Sequence, residues 1–200
     1  MKFTVNARDF RDALRGCEKA VSKDQTREVL MYAHLVVTHD LVTLTALDGF
    51  QMIQYKLAAR ETEYGSLKAE ALIPPKLVLS AIHSTKNDAT VEIDAGQLRV
   101  KTDLTIEIAL PHLEGEYPNY DKIWPDPKRE QYKIAVNPKY LIQIAQACAA
   151  AAADTIDNLV WLEVPANPVH PIVISAKSDL CAARGLICPV NPRKRPSDEE

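Results

Sequence analysis

The chain has 200 residues, 46% hydrophobic and 26% charged, with a formal net charge of −3, a length that buries one substantial core or two small ones. No stretch approaches the roughly 20 apolar residues that span a bilayer, no signal-peptide pattern opens the chain, and its four cysteines include no C-x-x-C pair. A membrane, secreted or zinc-built protein is therefore not expected and the cytoplasm is, while the acidic balance excludes a uniformly basic nucleic-acid binder but not one whose cations share a single face.

Lys2-Phe3-Thr4-Val5 alternates as a strand, Asn6 is a helix cap, and a helix begins at Ala7. Strand signals follow at 34–37, 41–46 and 50–57, separated by turn residues at His39-Asp40 and Asp48-Gly49. The same design returns at Ala71-Leu72-Ile73-Pro74-Pro75, where proline supplies the first-turn geometry, with strands at 89–93, 97–101 and 105–110. Turns fall there at Asp94-Ala95-Gly96 and Thr102-Asp103. It returns again at Tyr132-Lys133-Ile134-Ala135-Val136-Asn137-Pro138, followed by strands at 159–164, 171–175 and 182–188. Starts lie roughly 65 residues apart, the mark of a repeat architecture. Strand, helix and antiparallel meander, three times over, define an α+β fold. One such unit cannot cover both faces of its sheet, so units pack side by side, helices in one layer and sheets in the other.

On the first helix Phe10, Leu14, Cys17 and Val21 form one stripe, and Arg8, Arg11, Arg15 and Lys19 another. At about 100° per residue the stripes lie roughly 135° apart, so the basic row points away from the core. Lys23 and Arg27 continue it if that segment stays ordered, the second helix adds Lys76, His83 and Lys86, and the third adds Lys139. Such a row meets successive phosphates without reading sequence. A solvated helix face is the plainer reading, but Asp9, Asp12 and Glu18 fall mostly beside the stripe.

Nothing points to catalysis. Nucleotide-cradling, serine-hydrolase and zincin motifs are missing, and there are only six glycines. Asp48, Asp88, Asp94 and Asp103 sit in turn-like contexts, and the histidines at 34, 39, 83, 112 and 170 share no spacing. The expectation is no catalytic residue, metal ligand or cofactor. Cys17, Cys148, Cys181 and Cys188 are read as buried small hydrophobes or surface thiols.

Several segments resemble the bacterial DNA polymerase III beta subunit, the sliding clamp. Met1-Lys2-Phe3-Thr4-Val5 resembles its start, and Ala46-Leu47-Asp48-Gly49-Phe50 its A-T-D-G turn. Gly115-Glu116-Tyr117-Pro118-Asn119-Tyr120 is close to its G-E-[FY]-P-[DN]-Y signature. Val136-Asn137-Pro138-Lys139-Tyr140-Leu141 and Leu186-Ile187-Cys188-Pro189-Val190 are similar to its last half-domain and its terminus. The resemblance implies a DNA clamp fold and a non-enzymatic processivity factor on duplex DNA. It also implies polymerase or repair partners docking through short linear motifs, a possible clamp loader, and a homo-oligomer. It further implies a peptide pocket at Leu30, Leu47, Gly49, Gln51 and Met52, then Pro118, Lys122 and Ile123, then Leu186, Ile187, Cys188, Pro189 and Val190. For Leu30, Leu47 and Ile123 core packing is an equally good reading.

The pattern departs from the family in places: there are three repeats where family members carry six, Gln51 stands for the usual Arg, and Cys188 for the usual Met. The expected domains are 1–126 as a full clamp-like domain (about 1–66 and 67–126), 127–190 as a half-domain, and 191–200 as a disordered charged tail. Ala149 to Ala153 reads as length added after the third helix. Two other readings stand beside the clamp: a module that binds clamp-docking peptides without encircling DNA, and a small hydrolase of unrelated α+β fold.

Overall fold

Asn6 decides where the first helix begins. Its side-chain oxygen accepts from the backbone N–H of Arg8 at 3.1 Å and of Asp9 at 3.2 Å, satisfying two donors that every helix leaves unpaired at its start. Asn137 does the same for Lys139 N at 2.9 Å, whereas the second helix starts on Pro74-Pro75 with no side-chain cap.

The computed structural model describes residues 1–63, 69–82, 88–111, 116–124, 134–151, 159–178 and 181–190. In chain order these form β1 (Lys2–Asn6), α1 (Ala7–Ala20), a 3-10 segment (Gln25–Met31), β2 (Ala33–Val37), β3 (Leu41–Leu47), β4 (Met52–Ala58) and β5 (Arg60–Glu63). Next come β6 (Ala69–Ile73), α2 (Pro75–Ala81), β7 (Asp88–Asp94), β8 (Gln97–Lys101) and β9 (Thr105–Ala109). A 3-10 turn (Asp121–Ile123), α3 (Pro138–Ala151), β10 (Trp161–Glu163), β11 (Ile172–Lys177) and β12 (Ala182–Ile187) complete the chain. Two compact units result, Met1–Tyr120 and Asp121–Glu200.

The first unit holds two copies of the repeat, and they exchange their opening strands. Its sheets run β4-β3-β2-β6 and β5-β1-β7-β8-β9. β1 pairs antiparallel with β7, Phe3 opposite Val91, and β6 with β2, Ala71 opposite Leu35. Each meander thus has an edge covered by the other copy's strand, which removes an open row of backbone donors and acceptors. Phe3, Phe10, Leu14, Leu35, Leu44 and Leu98 are fully buried between the sheets and α1, and α1 packs on α2.

The hairpin turns follow their residues. Asp48 Oδ1 accepts from Phe50 N at 2.8 Å and Gln51 N at 3.0 Å, with Gly49 at φ 97°. Between β7 and β8 the two-residue turn Ala95-Gly96 has φ 44° and 78°, the primed geometry that matches strand twist.

In the second unit, described by itself, the sheet runs β10-β11-β12 and α3 packs on β11 and β12. Cys148, Ile172, Ile174, Ala176 and Ile187 form its core. Cys148 stands eleven residues after Asn137 as Cys17 stands eleven after Asn6, and both are buried.

Several expectations are corrected. β5 and the 3-10 segment Gln25–Met31 carry no periodicity and were not foreseen. α2 stops at Ala81, since Ile82 turns to ψ 89° and is buried; His83 and Lys86 lie outside the described residues. The alanine run from position 149 lies inside α3 as far as Ala151, as strong helix formers should, with 152–158 outside the described residues. Ile134–136 form no strand here, and Tyr132 and Lys133 lie outside the described residues. Asp88 is not a turn residue: it opens β7, and its carboxylate pairs with Arg60 at 2.9 Å.

Candidate nucleic-acid and peptide-binding surfaces

The α1 cations emerge opposite the core. Ala7, Phe10, Ala13, Leu14, Cys17 and Ala20 are buried, while Arg8, Arg15 and Lys19 are exposed; Arg11 is half-buried, its Nε shielded without a hydrogen-bond partner among the described residues. Burial pushes the Cys17 thiol up to about 12, so it stays neutral and inert. Arg15 is held by Asp12 of the same helix at 3.2 Å.

Four sheet cations are ion-paired, while Lys56, Lys101 and Lys177 on the sheets are exposed. Lys2 pairs with Glu63 at 3.8 Å, Arg60 with Asp88 at 2.9 Å, Arg99 with Glu107 at 2.8 Å and Arg184 with Glu163 at 4.0 Å. Among the described residues, no carboxylate lies within ion-pairing distance of Arg8, Arg11 or Lys19. The uncompensated positive charge of α1 is therefore on its outer face, although the whole chain is acidic.

Lys23 and Arg27 do not extend the helical row. Val21 leaves the helix at ψ 151°, and Ser22 N donates to Leu30 O at 2.8 Å, so the backbone turns away. Both cations stay near Lys19 all the same, lining with it, Asp24, Asp48 and Gln51 a cleft of about 490 Å³. Lys76 is exposed on α2 and Lys139 on α3.

The first-unit residues expected in a peptide pocket sit around one small cluster. Leu30, Leu47 and Tyr120 are buried together, with Val29, Met52 and Tyr117 packed against them. Leu30 and Leu47 thus face inward, 6% and 5% exposed, and the apolar surface offered outside begins at Met52. Gly49 is required by its φ of 97°; a Cβ there would also lie 2.9 Å from Arg27 Nη1, the movable end of a long side chain. Gln51 is tied to Asp48 Oδ2 at 2.9 Å and to Lys19 O at 3.4 Å. At the hairpin tip, Phe50 is 99% exposed, a feature the turn motif contains but periodicity does not reveal.

Residues 116–120 strap this cluster. Tyr117 stacks on His34 with ring centroids 5.0 Å apart and donates its hydroxyl to Thr45 O at 3.3 Å; burial raises its pKa. His34 meets Tyr120 Oη through Nδ1 at 3.1 Å and Glu70 Oε2 through Nε2 at 2.8 Å. Pro118 is exposed on the strap. Gly115 and the Ile123 side chain lie outside the described residues.

In the second unit Lys122, Leu186, Cys188 and Val190 are exposed and Pro189 half-buried, while Ile187 is turned into the core at 2% exposure. The tail at 191–200 lies outside the described residues. Among the described residues, no helix is long and apolar enough to cross a membrane.

This arrangement of exchanged strands, outward helices and hairpin-edged sheets is the fold of the DNA sliding clamps. The chain superposes on the DNA polymerase sliding clamp of Bacillus subtilis with a TM-score of 0.79 at 20% identity, over 94% of this chain and 49% of that one. For the clamp of Pseudomonas aeruginosa the TM-score is 0.79 at 15% identity, over 94% and 51%. A family model described as DNA polymerase III beta subunit, central domain, matches residues 4–119, more than half of the chain, and the chain belongs to that family. The match is to the central domain, although Met1–Val5 resembles the family's start. The beta sliding clamp of Chlamydia pneumoniae is 28% identical over 125 residues, 62% of this chain and 33% of that protein. The chain therefore spans about a third of the length of the curated relatives it matches and about half that of the solved structures.

Proposed function

We propose that the chain is a sliding-clamp-like processivity factor, without enzymatic activity or cofactor, that holds duplex DNA irrespective of sequence. The observation that carries this reading is the row on the outer face of α1: Arg8, Arg11 and Lys19 share the face opposite the buried stripe, and no described carboxylate lies within ion-pairing distance of them. Uncompensated cations in a row attract phosphates at a strength set by salt and leave the duplex free to slide. On this reading 1–126 is a full clamp-like domain, 127–190 a half-domain, and 191–200 a charged tail whose Arg193, Lys194 and Arg195 add positive charge available to DNA. Lys23, Lys76, Lys86 and Lys139 add to the positive field, and closure around DNA in the cytoplasm requires a homo-oligomer, with a clamp loader to open it.

Polymerase or repair proteins dock through short linear motifs. Met52 and the fully exposed Phe50 offer the apolar contact that anchors such a peptide, beside Leu30, Leu47, Gly49, Gln51 and Pro118; Lys122, Ile123 and 186–190 complete the set that the family resemblance assigns. A second reading draws on the exposure of Phe50: a module that captures docking peptides without encircling DNA.

Retention on DNA separates the two. A clamp stays on a closed circular plasmid through gel filtration and leaves when the plasmid is linearised. Equal retention on both forms, or none on either with peptide binding intact, ends the clamp reading.

A further inference from the structure

Within the first unit, the end of α1, the stretch 22–27 and the tip of the β3–β4 hairpin enclose one cleft. Lys19, Lys23 and Arg27 line it, each exposed, together with Phe50. None of these four is in the set that the family resemblance assigns to peptide binding; around this cleft only Gln51 is.

Two carboxylates line the cleft as well, and local bonds occupy both. Asp24 Oδ1 accepts from Thr26 N at 2.9 Å and from Thr26 Oγ1 at 2.7 Å, capping the 3-10 segment. Asp48 Oδ1 accepts from the backbone of Phe50 and Gln51, and its Oδ2 from the Gln51 amide at 2.9 Å. Among the described residues, no carboxylate lies within ion-pairing distance of Lys19, Lys23 or Arg27. Donors already meet the charge of the two carboxylates, so the cations are what the cleft offers a ligand.

The guanidinium at the hairpin comes from an unexpected segment. Gln51 turns its amide inward, bonding to Asp48 and to Lys19 O at 3.4 Å, which ties the hairpin to the last turn of α1. Arg27 instead leaves 3-10 geometry at φ −119° and ψ 61°, and Gly49, having no Cβ, leaves room for its Nη1. Lys19 and Gln51 also line a second cleft, of about 450 Å³, with Met52, Ile53 and Tyr55, so the cationic cleft and the apolar contact at Met52 share a wall.

We propose that this cleft is a carboxylate-reading subsite: a docking peptide lays its apolar anchor against Phe50 and Met52 and places an Asp or Glu side chain between Lys23 and Arg27. The inference rests on the docking reading above and adds a chemical requirement to it, an acidic residue beside the anchor. A guanidinium and an ammonium lining one cleft match a carboxylate, and an exposed ring offers area for an apolar side chain to cover. Duplex DNA is the poorer occupant. The bond from Ser22 N to Leu30 O turns Lys23 out of the α1 row, and a run of phosphates would pass both Asp24 and Asp48, whereas a single carboxylate needs to meet only the cations.

Fluorescence anisotropy with synthetic peptides on the 200-residue chain tests this. The probes are three acetylated and amidated peptides that share one anchor of leucine and phenylalanine and carry Asp, Asn or Lys on both flanks. The Asp peptide should bind roughly fivefold more tightly than the Asn peptide, the effect of one partly exposed ion pair, and the Lys peptide most weakly. Added salt should shrink the difference. Arg27→Gln should erase the preference and Arg27→Glu reverse it, with far-ultraviolet dichroism unchanged, while Phe50→Ala should weaken all three peptides alike. Equal binding of the three, or a preference that survives Arg27→Gln, overturns the subsite and leaves the docking reading standing. Failure of all three to bind ends both. If Arg27→Gln weakens binding of a short oligothymidine and of no peptide, the cleft holds nucleic acid and the inference fails.

Discussion

The His34 imidazole lies 3.1 Å from the Tyr120 hydroxyl on one side and 2.8 Å from the Glu70 carboxylate on the other. The two contacts are compatible with a single tautomer, in which Nε2–H donates to Glu70 and Nδ1 accepts from Tyr120. The bond to Tyr120 ties residues 116–120 to β2, 86 positions away in sequence, and the bond to Glu70 carries the tie on to β6. Tyr120→Phe should cost about 0.5–1.5 kcal/mol and His34→Ala about 1–3 kcal/mol in urea unfolding. The double variant should cost less than the sum, because both remove the same bond. Strict additivity would show that the strap is held by something else.

Gly16 on α1 presents its Cα to the Tyr55 ring on β4. A Cβ at position 16 would lie 2.5 Å from Tyr55 Cε2 and 2.6 Å from Cζ, well inside contact distance. Replacing a mid-helix glycine by alanine usually stabilises by roughly 0.5–1 kcal/mol. Here Gly16→Ala should instead destabilise by about 1–3 kcal/mol, the cost of overpacking. In a Tyr55→Ala background the same change should become stabilising, a reversal of sign that thermal melts would read directly.

Removing one phosphate-facing cation lowers the slope of log affinity against log salt by about one. Arg8→Ala and Lys19→Ala should each do so in titrations with duplex DNA. Arg99→Ala, whose guanidinium pairs with Glu107 on the sheet, should leave the slope unchanged. Equal effects from all three would mean that the α1 face is not the contact.

Asp48 has its pKa lowered by the backbone N–H groups of Phe50 and Gln51, with the Gln51 amide adding to them. A depressed folded value means that the contribution is complete above the ordinary carboxylate range and disappears as pH falls through the folded pKa. Stability followed from about pH 6 to about pH 2 should therefore fall less steeply in Asp48→Asn than in the parent. Parallel curves would refute the turn's electrostatic role. The fully exposed Phe50 reports the same loosening through its side-chain resonances.

Periodicity and caps were enough to find most elements. The strand read at 97–101 is β8 residue for residue, because Asp94-Ala95-Gly96 and Thr102-Asp103 punctuate it. Asn6 and Asn137 marked two helix starts because a capping side chain acts within three residues. Gln25–Met31 and β5 were missed because neither repeats an apolar residue at a regular interval. The basic row on α1 was legible, since helical spacing alone separates Arg8, Arg15 and Lys19 from Phe10 and Leu14; the departure of Lys23 was not, because it depends on Ser22 bonding to Leu30.

What local sequence determined here is each strand's two faces and each helix's two stripes, since these follow from backbone period. Only tertiary structure decided which strand lies beside which. Phe3 alternates the same way whether β1 pairs with its own meander or with β7, and nothing within five residues distinguishes them. The same holds for the charges: Arg8 and Arg99 are the same chemical group in sequence, and Glu107 across the β8–β9 ladder neutralises one while no described carboxylate reaches the other.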